Sequence, residues 1–200
     1  MKHTFLIKDW LSSFLSLLFP RCCVVCGRPL AKGEECICTE CNINLPRTNY
    51  HLRKDNPVER LFWGQIPLER ATSFFFYEKG SDFRLILHRL KYGGQKEIGA
   101  IMGRYMAAEL LSSNFFQGID VIIPIPLHKK KQQIRGYNQS EWIARGIAAV
   151  TGIPIDTFTA SNFALPPAAL TASQKASAFS LVVATTVCAE IGRASCRERV

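Results

Sequence analysis

The feature of this sequence that most restricts its fold is a cluster of six cysteines between Cys22 and Cys41. The long stretch from Asn42 to Val187 contains no cysteine. A disulfide-stabilised secreted domain spreads its cysteines along the chain, so that bridges join distant segments. Clustering of this kind is instead typical of a metal site in a reducing compartment.

Within the cluster, two pairs have the spacing Cys-x2-Cys, and eleven residues separate them. Zinc takes four thiolates in a tetrahedron, and two such turns supply two sulfurs each. Cys22 and Cys36 leave some doubt about register, and reduced cysteines without metal are the alternative. A redox role is disfavoured because no βαβ pattern surrounds either pair. The spacing predicts a structural zinc held by Cys23, Cys26, Cys38 and Cys41.

The N-terminal segment, residues 1–20, is predicted to form an amphipathic helix. Lys8 and Asp9 interrupt its apolar run, and no small-x-small cleavage site follows, so a signal peptide or a membrane-surface helix is the lesser alternative. A spanning helix needs about 20 apolar residues, and this run is shorter. The sequence therefore predicts no transmembrane segment and a cytoplasmic protein.

The 200-residue chain has room for one ordinary domain beside a small zinc module. Residues 21–46 are expected to form a zinc ribbon, residues 47–70 a linker and residues 71–156 the domain. Apolar strand-like runs at Ala71–Tyr77 and Ile119–Ile125 alternate with helical patterns at Gln95–Leu111 and Trp142–Val150. Asp82 is expected to cap a further helix. This alternation predicts an α/β fold with a parallel sheet.

A basic segment follows the run at Ile119–Ile125, where ligands bind in open α/β sheets. The net charge of +9 also favours a polyanionic partner. We expect a phosphate-binding loop here, since cations, a flexible glycine and a helix start would converge; a solvated loop is the alternative. The predicted phosphate-binding residues are Lys129, Lys130, Lys131, Arg135, Gly136, Asn138 and Gln139.

Four motifs in this order resemble the ComF family of competence-related proteins. They are the paired-cysteine ribbon, Leu-Lys-Tyr-Gly-Gly at Leu90–Gly94, Ile-Pro-Ile-Pro-Leu-His at Ile123–His128 and Arg-Gly-Tyr-Asn-Gln-Ser at Arg135–Ser140. The resemblance covers Leu11 to about Asp156. It implies a cytoplasmic bacterial protein in which a zinc ribbon joins a type I phosphoribosyltransferase-like parallel sheet. It also implies a role in DNA uptake and natural competence, beside a helicase-like partner.

Two functions follow from the resemblance and the basic segment. One is binding of single-stranded DNA, for which Tyr92 and Phe74–Phe76 are candidate stacking residues, although three consecutive Phe are more often core. The other is phosphoribosyl transfer to a nucleobase-like acceptor, using phosphoribosyl pyrophosphate with Mg²⁺. The family signature of two acidic residues and a Thr-Thr-Gly loop is missing after Asp156, so we expect no transferase activity and assign no catalytic residue.

The C-terminal part of the chain departs from the rest in composition. Residues 157–189 carry a single charge, Lys175, and are expected to be an out-of-frame segment. Residues 190–200 can be encoded by a common sequencing-adapter string and are expected to be an artefact. The sequence therefore predicts a fragment truncated within its α/β domain.

Overall fold

The computed structural model describes residues 20–64, 68–78 and 80–157. The predicted N-terminal helix and the segments 157–189 and 190–200 lie outside these ranges, apart from residues 20 and 157. The chain divides into two compact units, residues 1–45 and residues 46–200. Each unit has its own set of buried side chains.

The first unit is a small knuckle whose only helix among its described residues is α1, Thr39–Ile43. Its first turn closes where the Gly27 amide donates to the Cys23 carbonyl at 3.0 Å. An isolated antiparallel bridge joins Cys22 and Pro29. The buried side chains of this unit are mainly cysteine and aliphatic: Cys23, Val24, Val25, Cys36, Ile37, Cys38, Cys41 and Leu45.

The second unit begins with short elements in the segment expected to be a linker. A 3-10 helix spans Tyr50–Leu52, and α2 spans Pro57–Arg60. Asn56 caps α2 with its side-chain oxygen, while Glu59 bonds back to the Asn56 amide, and Pro57 suits the first helical position. Asn56 is buried, and its amide group also donates to the Ala71 carbonyl at 2.8 Å.

Three longer helices carry most of the core of the second unit. They are α3, Arg84–Tyr92; α4, Glu97–Leu111; and α6, Gln139–Thr151. A shorter basic helix, α5, spans Lys129–Arg135 between α4 and α6. The helical patterns predicted near 82–92, 95–111 and 142–150 fall on these elements. The principal buried side chains of the three helices are Ile86, Leu87, Leu90, Ile98, Met102, Met106, Ala107, Leu110, Ile143, Ala144 and Ile147.

The start of α3 differs from the sequence expectation. Phe83, not Asp82, occupies the N-cap position, and no side chain caps this end of α3, all of which lies in the described range. Asp82 instead supplies a backbone carbonyl that accepts from the Leu85 amide at 3.0 Å. Gly93 ends the helix as expected, with its amide bonded to the Arg89 carbonyl at 2.8 Å.

The predicted α/β fold with a partial type I phosphoribosyltransferase-like parallel sheet is wrong. Across residues 20–64, 68–78 and 80–157 the structure has helices and isolated bridges but no β-strand or sheet. Near the expected strand at Ile119–Ile125, Ile122 forms a single parallel bridge with Ile155. Pro124 and Pro126 follow, and proline has no amide hydrogen to donate, so the ladder cannot extend through them.

The aromatic run at Ala71–Tyr77 also does not form the expected strand. Its backbone makes one antiparallel bridge, between Phe75 and Arg47. The Phe76 amide donates to Pro46 at 2.8 Å, and the Thr48 amide donates to Phe74 at 3.2 Å. The apolar pattern was therefore a sign of burial rather than of strand pairing.

Candidate functional site

Four cysteines of the first unit converge on one point. The Sγ atoms of Cys23, Cys26, Cys38 and Cys41 all lie within 4.8 Å of one another, so this group has the donors and the proximity to hold a metal ion. The Cys26 and Cys38 sulfurs are 3.7 Å apart. Tetrahedral zinc with Zn–S bonds of about 2.3 Å requires sulfurs about 3.8 Å apart, so the cluster fits a structural zinc.

Backbone amides orient these sulfurs. The Cys38 amide donates to Cys23 Sγ at 3.3 Å, and the Cys41 amide donates to Cys38 Sγ at 3.5 Å. The second bond also caps α1, since Cys38 is its N-cap residue. Of the two remaining thiols that left the register open, Cys22 is exposed and Cys36 is buried, and neither belongs to the cluster found among the described residues.

The pKa values of an exposed and a buried cysteine of the cluster are shifted in opposite directions. Hydrogen bonding from Arg28 lowers the pKa of the exposed Cys26 to about 6, with Arg28 Nε lying 3.4 Å from the sulfur. Burial raises the pKa of Cys41, and the neighbouring sulfurs add to this effect. A cation among the four sulfurs would favour the thiolate form of all of them, because metal ligands must be deprotonated.

Two residues that support the cysteine cluster, Glu34 and Arg28, were not predicted from the sequence. Glu34 accepts from the Ala31 amide at 2.7 Å, and from the Thr39 amide at 2.6 Å and hydroxyl at 2.7 Å. These bonds lower the pKa of Glu34 and tie the loop to the start of α1. Arg28 pairs with Glu40 of α1 as well as with Cys26. The sequence signal that could have indicated the role of Glu34 is its position, four residues before the second cysteine pair.

The segment predicted to be a phosphate-binding loop forms the helix α5. Lys129, Lys130 and Lys131 are exposed and occupy its first turn, while Arg135 is half-buried in its last turn. Gly136 ends the helix with φ of 76°, a left-handed conformation that favours glycine. None of the three lysines has a carboxylate partner among the residues that the structure describes.

The predicted polar residues after α5 separate into two roles. Asn138 caps α6 by accepting from the Ser140 amide at 3.1 Å, and donates to the Ile125 carbonyl at 2.9 Å. Gln139 accepts from Arg135 at 3.0 Å through Oε1. Its Nε2 is buried and has no hydrogen-bond acceptor within the described ranges. Asn138 is thus occupied by the fold, whereas Gln139 keeps one unused donor.

Arg135 also reaches the end of α3. Its guanidinium carbon lies 5.5 Å from the centre of the Tyr92 ring. The His88 ring lies 5.2 Å from the same ring at an angle of 49°. Tyr137 donates its hydroxyl proton to the Leu90 carbonyl, and burial raises the pKa of this tyrosine. The motifs at Leu90–Gly94 and Arg135–Ser140 are therefore adjacent in space.

Comparison with known proteins identifies bacterial relatives. The chain is similar to the DNA utilization protein YhgH of Escherichia coli O157:H7, with 28% identity over 147 residues, 66% of this chain and 62% of the relative. The YhgH proteins of Escherichia coli K12 and Salmonella typhimurium LT2 are 26% and 27% identical. The Salmonella match covers 158 residues, 72% of this chain and 67% of the relative.

The chain thus spans about 62% of the length of the Escherichia coli relatives it matches. No family model matches it, and no solved structure matches it. None of the helices in residues 20–64, 68–78 and 80–157 has the length and apolar character that crossing a bilayer requires.

Proposed function

We propose that this protein binds single-stranded DNA through the side chains of α5, and that its four-cysteine knuckle holds a structural zinc. Its role in the cell would be in DNA utilization, at the step of DNA uptake. The protein would act in the cytoplasm. The observation that carries the proposal is the charge of α5, which has three lysines and an arginine in seven residues and no Asp or Glu. Single-stranded DNA offers a matching row of phosphates.

The position of the lysines supports a role in binding a ligand rather than a purely structural role. Lys129, Lys130 and Lys131 stand at the helix N-terminus, where the helix dipole disfavours positive charge by about 0.3–1 kcal/mol per residue. They also repel one another. A sequence that breaks a local rule in this way does so most often at functional sites, and a bound polyanion would relieve both effects.

Gln139 lies beside Arg135 and bonds to it. A buried donor without an acceptor costs about 1–3 kcal/mol, and its neighbour Arg135 fixes which end of the amide carries the oxygen. Because Nε2 is closed to solvent, Gln139 would act on a bound phosphate by holding Arg135 in place, through its Oε1 atom. Lys129, Lys130, Lys131 and Arg135 are therefore the proposed phosphate contacts, with Gln139 holding Arg135 and with Gly136 and Asn138 shaping the backbone after α5.

The names of the relatives agree with this proposal, since YhgH is named a DNA utilization protein in each of the compared organisms. Transfer of a phosphoribosyl group is not proposed. That alternative rested on a parallel-sheet fold that the described residues do not have, and no observation favours Mg²⁺ with phosphoribosyl pyrophosphate.

The test compares two pairs of adjacent, exposed cations. A Lys130→Gln/Lys131→Gln variant should weaken binding of a fluorescent single-stranded oligonucleotide at least severalfold. The matched control, Arg53→Gln/Lys54→Gln, removes the same charge from another exposed site and should bind like the unmodified protein. An equal loss of affinity in both variants would mean that net charge alone governs binding, and it would contradict a site at α5.

A further inference from the structure

The ring of Tyr92 has the exposure and surroundings of a binding surface. It is 68% exposed at the last position of α3. The Arg135 guanidinium lies over the ring at 5.5 Å, and His88 leans against it at 5.2 Å. A single exposed aromatic side chain is ordinary on a protein surface, but this ring has a cation and an imidazole against it.

The backbone beneath the ring and the guanidinium beside it are both held by hydrogen bonds. The hydroxyl of Tyr137 donates to the Leu90 carbonyl, two residues before Tyr92. Arg135 is itself held by the Gln139 amide oxygen at 3.0 Å. The end of α3 is thereby joined to the turn between α5 and α6. A site whose backbone and neighbouring side chain are already ordered loses less conformational entropy when a planar group packs on it.

The charge on α3 and α5, the two helices that supply the ring and the guanidinium, is of one sign, while Glu97 at the start of α4 lies near Tyr137. In α3 the charged residues are Arg84, Arg89 and Lys91, and neither α3 nor α5 contains Asp or Glu. An exposed aromatic ring among cations matches the way single strands are bound, with bases stacked on aromatic rings and phosphates held by basic side chains. A protein partner for this surface would need an acidic face, whereas every nucleotide of a single strand brings both a negative phosphate and a base that can stack.

We propose that Tyr92, with Arg135 over its ring, is a stacking platform for one base of the single-stranded DNA whose phosphates α5 holds. This inference rests on the proposed function and adds to it the residue that contacts a base. Stacking needs no particular base, because every base has a π-face. It does need an unpaired one, since the bases of a duplex already stack on each other. The platform therefore predicts a preference for single strands over duplexes.

The experiment separates base contacts from phosphate contacts. Binding of the full chain is measured to an oligodeoxythymidine of about 12 nucleotides, within the usual site size, and to an abasic strand of the same length. Tyr92→Ala should weaken oligodeoxythymidine binding about 5-fold or more and leave abasic binding unchanged. Tyr92→Phe keeps the ring and should bind like the unmodified protein.

Trp63→Ala is the matched control. Trp63 is 59% exposed and has Arg60 at 5.8 Å from its ring, so it shares the exposed ring and the cation but lies away from α5 in sequence. It should bind both strands normally. A Tyr92→Ala variant that keeps its oligodeoxythymidine affinity, or loses abasic affinity equally, overturns the platform while DNA binding stands. Unmodified protein that binds neither strand overturns the proposed function itself.

Discussion

Gly146 and Ala100 bring α6 and α4 into backbone contact. A Cβ atom added to Gly146 would lie 2.0 Å from the Ala100 carbonyl oxygen, and one added to Gly103 would lie 2.3 Å from the Ile143 carbonyl oxygen. Both distances are far below van der Waals contact and involve backbone, which cannot move aside cheaply. The two helices therefore approach as closely as they do because glycine occupies both positions.

Gly146→Ala should consequently destabilise the second unit. The free energy of unfolding should fall by about 3 kcal/mol, the upper part of the range for overpacking, despite the better helix propensity of alanine. Urea denaturation followed by circular dichroism measures this. Gly80→Ala is the control, since a Cβ there meets nothing within 4 Å. Equal stability of both variants would mean that the helices are not in backbone contact.

The sequence predicted these helices but not their contact. The spacing of apolar residues predicted α3, α4 and α6 to within a few residues, because the period of that spacing indicates which face of a helix is buried. Gly103 and Gly146 have no side chain and leave no periodic signal, so their pairing required the structure. The expected strands failed for a related reason, since burial and strand pairing give the same apolar run and the prolines at 124 and 126 weigh against pairing.

The candidate site was predicted unevenly. The four-cysteine cluster followed from spacing alone, because Cys-x2-Cys fixes two sulfurs locally and tetrahedral zinc requires two such pairs. The contact of Arg135 with Tyr92 joins positions 43 apart in sequence, and nothing in local composition indicates it. The basic segment was expected to be a loop because it follows the apolar run at Ile119–Ile125, taken as a strand, yet α5 forms there.

Zinc content is expected to follow cysteine position. Cys41→Ser removes one of the four clustered sulfurs, so the purified variant should lose most of its zinc when measured by inductively coupled plasma mass spectrometry. Cys22→Ser removes an exposed thiol outside the cluster and should retain one zinc per chain. Full zinc occupancy in Cys41→Ser would show that a different ligand set is used.

Glu34 should affect metal retention without touching the metal. Glu34→Ala removes the acceptor for three hydrogen bonds, one from the Ala31 amide and two from Thr39 at the start of α1, so the second cysteine pair loses part of its support. Metal affinity should fall by about tenfold, as for residues that orient ligands indirectly. Competition with a chromogenic chelator measures it. Glu78→Ala removes a carboxylate from the second unit and should have no effect on zinc release.

His51 should make the second unit less stable in mild acid. Its side chain is buried, and burial lowers its pKa below the ordinary value of 6.5, with a smaller effect of Arg70 in the same direction and Glu109 opposing. Above pH 6.5 the imidazole is neutral in both states. As pH falls below 6.5 toward the lowered pKa, the unfolded chain takes up the proton more readily, so stability decreases.

Substitution of His51 should remove part of this pH dependence. Thermal unfolding measured between pH 7.5 and pH 5 should show a shallower decline for His51→Gln than for the unmodified protein. If the pH dependence of His51→Gln equals that of the unmodified protein, His51 is not held neutral by the fold.

The most direct test of the central claim is the salt dependence of binding to single-stranded DNA. Each phosphate contact contributes about −0.7 to the slope of log K against log salt concentration for single strands. The Lys130→Gln/Lys131→Gln variant should therefore have a slope shallower than that of the unmodified protein by about 1.4, while Arg53→Gln/Lys54→Gln keeps the original slope. An unchanged slope in the α5 variant would contradict DNA binding through this helix.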